Sequence, residues 1–424
     1  MKHTLTRRQT LQTLAAWATI QIVPSRVLGL NGQTPPSEIL TRGIIGCGGI
    51  SVSHLTMPGK LLALCDVDKM NLADKMTKSG GDANGVKGYH DFRELIARDD
   101  IDIVHVATPP HWHAYMAIAA ARAGKDVWCE KPMSRTIGEG IAMVKAVEKQ
   151  QRVFRLNTWF RFQAGLYGMG VPAVLLKKAV MNDLLGWPLK ITVSGVTGFD
   201  WKLSKWTGKP GLQPQPVPPQ LDYDMWLGPA PMKPYNRARS HGSFRGYWDY
   251  DGGGLGDMGM HYLDPVQYLL NKDDQAPISV EIDADPQDSE AVGTWRRIEF
   301  TYADGCKVIL DGENKDKDAA YIEGPKGKIY QRLRSDIPDL RKKIDALPDP
   351  PPQNTDFHDC VRTRKKFALN EQNGFWSCTL VNMGITAHRL NKNLKFDSKA
   401  LKFDDPAANA LMHQPERAPW KIED

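Results

Sequence analysis

Residues Arg42 to Ser51 read RGIIGCGGIS, and this short stretch limits what the chain can fold into more than any other. Gly43 to Ile45 form a brief apolar strand, and Gly46, Gly48 and Ser51 then follow in the spacing G-x-G-x-x-S. In such a turn the first glycine makes the bend and the second lets backbone approach a pyrophosphate. A small third residue lets helix and strand pack closely. Ser51 stands where Gly or Ala is usual. A second apolar strand, Leu61 to Cys65, ends in Asp66, twenty positions after Gly46, where a carboxylate receives ribose hydroxyls. Val67 and Asp68 follow, with no adjacent Lys or Arg for a 2′-phosphate, so NAD is favoured over NADP.

The alternation continues. Ile103 to Ala107 read as a buried strand, Ala114 to Ala123 as a helix closed by Gly124, and Asp126 to Cys129 as the next strand. A helix over 139–150 and a strand over 152–156 complete an α/β, doubly wound parallel sheet. The strand at 126 runs into Glu130-Lys131-Pro132, which puts Lys131 past a parallel strand's C-terminal end, where open α/β sheets bind ligands. His111 and His113 read as helix-start histidines; an H-x-H pair with no third ligand in reach argues against a metal.

Further along, the pattern changes. Residues 189–196, 295–302, 307–310 and 319–323 alternate as half-buried strands of a large, mostly antiparallel sheet. Helices are expected over 356–361 and 375–390, packing back on the first domain. The Pro-rich stretch 207–222 has the character of a lid or binding edge. Residues 251–264, DGGGLGDMGMHYLD, place Asp257 and His261 four apart, on one face of a helix, as a usable acid/base pair, with Asp264 a turn further on.

Together the glycine turn, Asp66, the run Thr108 to His113, Glu130-Lys131-Pro132 and the segment Gly252 to His261 resemble the Gfo/Idh/MocA oxidoreductases, from Arg42 through most of the chain. The resemblance implies a Rossmann domain (41–157) and a second α/β domain with a large open sheet (158–392). A tail, 393–424, packs on the body. It implies NAD-linked hydride transfer at a hydroxyl carbon of a saccharide or glycoside. Cofactor contacts map to Gly46, Gly48, Gly49, Ile50, Asp66, Thr108, Pro109, His113, Glu130 and Lys131. The family's catalytic Lys, Asp and His map to Lys131, Asp257 and His261. A homo-oligomer, dimer or tetramer, through the C-terminal sheet is also implied. The segments Leu227 to Pro231 and Arg417 to Trp420 resemble a secreted, saccharide-associated branch; the family's NAD-dependent glycosidases usually replace the E-K-P that this chain keeps.

For the substrate, Tyr247 and Trp248 are the favoured aromatic platforms among Trp159, Phe160, Phe162, Trp201, Trp206, Tyr223 and Trp226, because they just precede the glycine triplet. Arg161 is taken as a substrate contact from a group that includes Arg237, Arg239 and Arg245. Besides a net dehydrogenase, two other activities fit: a redox-neutral enzyme that oxidises the sugar transiently before elimination or epimerisation, and a dinucleotide-dependent sensor. A sensor would have little need of Lys131, Asp257 and His261.

With 424 residues, 41% of them hydrophobic, the chain can bury the core of two domains. Lys2, Arg7, Arg8 and Arg26 sit among the first thirty residues with no acid, so the net +6 becomes +2 (6 − 4) over the rest. That balance argues against nucleic acid as a partner. Thr6 to Leu11 resemble a twin-arginine signal followed by an apolar stretch over 14–23, although Thr10 replaces the usual Phe and no clean A-x-A site precedes residue 30. Export of residues 31–424 behind a 1–30 signal and a 31–40 linker is the expectation, without a stable membrane anchor. The six cysteines show no metal or redox spacing, and Cys47, Cys65 and Cys129 read as small buried apolar residues.

Overall fold

Six short strands carry the first half of the chain: β1 (Thr41–Ile45), β2 (Lys60–Cys65), β3 (Lys87–Tyr89), β4 (Ile103–Val106), β5 (Asp126–Glu130) and β6 (Phe154–Asn157). In the computed structural model, which describes residues 38–158, 161–162 and 165–422, they pair in the order β3-β2-β1-β4-β5-β6. Every pairing in this sheet is parallel. The central strands β4 and β5 are buried throughout, as strands covered on both faces are, while the edge strand β3 is largely exposed. The signal segment 1–30, most of the linker, and Trp159 and Phe160 lie outside the described residues.

One buried cation shapes the first turn of the fold. Arg42, 2% exposed, donates to the carbonyls of His54, Leu55, Met57 and Gly59. Those carbonyls belong to the end of the short helix Ser51–Leu55 and the loop after it, so one side chain satisfies acceptors that a helix end leaves open. Burial lowers this guanidinium to about 10. The helix Ile137–Lys149 starts on a capping box in which Thr136 and Glu139 exchange bonds with each other's backbone amides.

The second sheet contains β7 (Lys190–Ser194), β8 (Ser279–Ala284), β9 (Trp295–Thr301), β10 (Lys307–Asp311), β11 (Ile322–Gly324), β12 (Gly327–Ile329), β13 (Leu394–Asp397) and β14 (Lys402–Phe403). Its order is β12-β11-β7-β10-β9-β8-β13-β14. Among the described pairings only β7 with β10 is parallel. The α/β class with a parallel sheet and a mostly antiparallel second sheet is therefore as expected. Two details differ. The strand expected over 319–323 occupies Ile322–Gly324: Lys317 and Asp318 still turn, and the first bond to β7 is made by the Tyr321 carbonyl, which accepts from Thr192 N. The segment expected as a tail is more than that over its described residues 393–422: β13 joins β8 and extends the second sheet, and Trp420 inserts edge-on against Trp112 and Tyr115 of the first half. Phe396, Phe403 and Trp420 are each about 3% exposed or less, and this apolar burial draws the segment into the body.

The helix Glu371–Leu390 joins the halves. It packs on Ile137–Lys149 from the first and on Gly253–Leu269 from the second. Residues 41–424 form one compact unit.

Candidate active site

The glycine turn behaves as its spacing requires. Gly46 has φ +95°, and a Cβ there would sit 2.6 Å from the Ala107 carbonyl oxygen, so no L side chain fits between β1 and β4. A Cβ on Gly48 or Gly49 would meet nothing within 4 Å. These two glycines border an open cradle, a cavity of about 350 Å³ that is also walled by Ile50, Asp66, Thr108, Pro109 and Arg245.

Three features of that cavity suit a dinucleotide. The cradle beside Gly48 and Gly49 is where the pyrophosphate approaches backbone. Asp66 sits at the end of β2 with Oδ2 accepting from Cys47 N (2.6 Å) and Oδ1 from Asp68 N (2.7 Å). Those amides fix the carboxylate while lone pairs remain for ribose hydroxyls. Burial nevertheless raises this carboxyl, against the two amide bonds that lower it. Finally, the buried Thr108 Oγ1 has no partner among the described residues. The residues present fit NAD.

Beside this cavity stands a second cluster, on the helix Gly253–Leu269. Asp257 and His261 share a face of it, one turn apart. Lys131 Nζ donates to the Asp257 carbonyl and, at 2.8 Å, to Asp257 Oδ1. Arg245 Nε donates to the same Oδ1 at 2.9 Å, Trp206 Nε1 to Oδ2 at 2.7 Å, and Lys202 Nζ lies 3.9 Å from Oδ2. Burial by itself would raise Asp257, but the Lys131 and Arg245 cations outweigh it and hold the carboxyl well below the usual range. His261 moves the other way from a paired histidine. Burial, then the Lys131 charge, push it well below its ordinary value despite Asp257, so the ring is neutral. The sequence pattern suggested a carboxylate that raises a histidine. The structure instead gives that carboxylate to the lysine, 126 positions away.

The glycine triplet serves packing. Gly253 has φ +66°, and a Cβ at Gly254 would lie 2.3 Å from the Trp201 carbonyl oxygen, so the helix N-terminus can press against that loop only without side chains. Beyond Lys202 a further cavity, about 440 Å³, opens between Asp200, Lys202, Asp311 and Asn314. Asp311, the last residue of β10, and Gly195, just after β7, are in its wall. Arg245 borders the first cavity and Lys202 the second, and both reach Asp257.

Several expected contacts are used elsewhere. Arg161 is fully engaged inside the protein by Asp264 (2.6 Å) and Asp273 (2.6 Å), with Ser377 also on Asp264, so its charge is not offered to a substrate. Tyr247 and Trp248 are 3% and 0% exposed; Trp248 Nε1 donates to the Asp288 carbonyl, and the Tyr247 hydroxyl lies within hydrogen-bond distance of Lys209 backbone. Neither residue lines the cofactor cavity or the cavity at Lys202. Glu130 turns inward to His54 (2.8 Å) and Asn157 (2.6 Å), beneath the turn that carries Lys131. The ring nitrogens of His113 face the carbonyls of Pro132 and Thr108, tying that turn to the cavity wall. These two residues hold the site's frame and do not line the cavity.

Arg245, Trp206 and Lys202 are what sequence reasoning passed over. Arg245 stood in a group of four arginines and Trp206 in a group of aromatics. Lys202 carried no signal at all. The Pro-rich segment runs beside the cofactor cavity, with Gln220 O accepting from Lys69 N and Leu221 bridged to Asp68.

Comparison with known proteins agrees with this geometry. Residues 40–158 match the family described as oxidoreductase, NAD-binding Rossmann fold, and 169–422 match its C-terminal alpha/beta domain. A glycosyl hydrolase family 109 protein of Saccharopolyspora erythraea is 38% identical over 125 residues, 27% of each chain. The D-apiose dehydrogenase of Paraburkholderia graminis is 29% identical over 163 residues, 37% of this chain and 40% of that one. The alignments thus span well under half the length of these curated relatives. The WlbA dehydrogenase of Bordetella pertussis, solved with NADH and UDP-GlcNAcA, shares the fold with TM-score 0.57 and 19% identity, covering 85% of this chain and 99% of that one.

Proposed function

The chain belongs to the Gfo/Idh/MocA oxidoreductase family, and from that premise we propose that it moves a hydride between a hydroxyl-bearing carbon of a saccharide or glycoside and NAD. The observation that carries this reading is the Lys131–Asp257 pair at 2.8 Å, whose carboxylate also meets Arg245 from the wall of the cofactor cavity and lies 3.9 Å from Lys202 of the second cavity. Bound NAD supplies the hydride acceptor. The chain's own groups do the rest. Asp257 holds the Lys131 ammonium in one place, where it can stabilise the oxyanion that forms as the carbinol proton leaves. His261, kept neutral by burial and by Lys131, is in the proton-accepting form. Lys202, Asp200 and Asn314 offer donors and acceptors to further hydroxyls of the sugar. The acids Asp66 and Asp68 beside the ribose position favour NAD over NADP.

The test is single-turnover reduction of bound NAD across a panel of sugars in Lys131→Ala and His261→Ala. Loss of hydride transfer with NAD still bound is expected. Near-normal transfer in both variants would falsify the catalytic assignment and favour a sensor. The similarity to a glycosyl hydrolase family 109 protein supports a second reading, a closed redox cycle; it predicts product without accumulated reduced cofactor. We also propose export through the twin-arginine segment, which Arg7→Lys with Arg8→Lys would block, leaving folded protein in the cytoplasm. Assembly through the second sheet is proposed too, and the mass in solution by light scattering tests it.

A further inference from the structure

Behind the turn that carries Lys131 lies a separate cavity of about 240 Å³. Two arginines converge on it: Arg135, four residues after Lys131, and Arg389, from the last turn of the helix Glu371–Leu390. Arg135 is 5% exposed, its Nη2 donates to the Trp248 carbonyl, and its Nε has no partner among the described residues. Arg389 lies over the Trp248 ring at 5.7 Å. Among the described residues no carboxylate stands within 4.0 Å of either guanidinium. The one acid of the cavity wall, Asp249, is held by Lys233 at 2.9 Å. Burial, then the Arg135 charge, lower Arg389. Asn382, on the same helix and 3% exposed, also lines the cavity. Arg135 is buried and Arg389 half-buried; the acids whose charges act on them, Glu139 and Asp251 on Arg135 and Asp249 on Arg389, form no direct ion pair with either guanidinium, and a buried guanidinium with an open N–H favours an anion in direct contact.

We infer that this cavity is an oxyanion site, where Arg135 and Arg389 bind the phosphate or carboxylate of a small metabolite against the apolar wall of Ile137, Ile385 and Met412. Guanidinium forks match such oxyanions in geometry and charge. The site is distinct from the cofactor cavity, since the two share no lining residue. It joins the two catalytic segments from behind: Arg135 continues the Lys131 turn, and Trp248 leads into the helix of Asp257 and His261.

The experiment is thermal unfolding of the NAD-saturated protein with inorganic phosphate or with citrate, against chloride at matched ionic strength. Saturation with NAD keeps the probes out of the pyrophosphate cradle. A saturable rise in Tm is expected, as for any ligand that binds the native state alone. Arg389→Gln removes one charge-assisted contact and is expected to weaken the apparent Kd about tenfold or more. Asn382→Asp, which brings a carboxylate to the arginines, is expected to abolish the rise and serves if Arg389→Gln fails to fold. Response to phosphate alone or citrate alone identifies which oxyanion the site takes. A rise that never saturates, or that is equal in the variants, is the general effect of an excluded salt and would overturn the inference. So would no rise with either probe.

Discussion

Replacing Asp257 by Asn tests how the site is held together. The substitution keeps the side chain's shape and one acceptor but removes the charge that Lys131, Arg245 and Trp206 address at 2.7 to 2.9 Å. Lys131 and Arg245 would remain as two cations, 13% and 26% exposed, without their counter-ion. Stripping one partner from a buried ion pair costs about 3–5 kcal/mol. Here Arg245 can turn to water and the new amide oxygen can still accept, so a loss of about 2–3 kcal/mol at neutral pH is expected. That loss shrinks with acid. Asp257 is depressed in the fold, so the native state has released a proton that the unfolded chain still binds. Its contribution is complete above the unfolded value near 4 and fades as pH falls from there toward the depressed folded value, so the stability gap between wild type and Asp257→Asn narrows steadily in acid. The same change frees Lys131 from its position, and single-turnover reduction of bound NAD is expected to fall about 100-fold to 1,000-fold. NAD affinity, set at Asp66 and the glycine turn, should stay within about threefold, well under one kcal/mol. Denaturant unfolding at pH 7 and pH 3, NAD titration and stopped-flow absorbance are the assays. Unchanged hydride transfer, or a stability gap that does not narrow in acid, would refute the reasoning.

Three further outcomes follow from the geometry. Asp66→Ala should weaken NAD about 10-fold to 100-fold through loss of charged hydrogen bonds, with much less effect on NADP; equilibrium titration with both dinucleotides measures it. Because His261 is depressed, hydride transfer should stay level as pH falls through the ordinary histidine value of about 6.5; a pH–rate profile that breaks there would contradict a neutral ring. Gly46→Ala and Gly48→Ala should separate fold from binding. The first forces a side chain into φ +95° and onto Ala107, costing at least about 1–2 kcal/mol from the backbone alone. The second should leave unfolding unchanged while NAD binding, read by titration, falls.

Residue order settles what is local and periodic. The strand, glycine turn and Asp66 lie within twenty-odd residues, and each carries its own chemical reason. A positive φ, a close backbone approach and a carboxylate at a strand end can all be read from residue type and spacing. Asp257 and His261 were equally legible as neighbours because a helix puts positions four apart on one face. The class of each sheet followed too, from unbroken apolar runs in the first and alternation in the second. Which charge meets which was settled by packing. Lys131 and Asp257 are 126 positions apart, and only the docking of the first sheet's C-terminal edge on the helix Gly253–Leu269 joins them. Arg161 and Arg245 look alike in sequence, yet one is enclosed by Asp264 and Asp273 while the other reaches the cofactor cavity. Tyr247 and Trp248 lie beside the glycine triplet in the chain but turn their rings into the core, and Trp206, forty residues earlier, takes the place at Asp257. Pattern fixes the face a residue occupies on its own element. The partner across that face depends on how elements pack, and burial and charge pairing between distant segments set that only once the whole chain has folded.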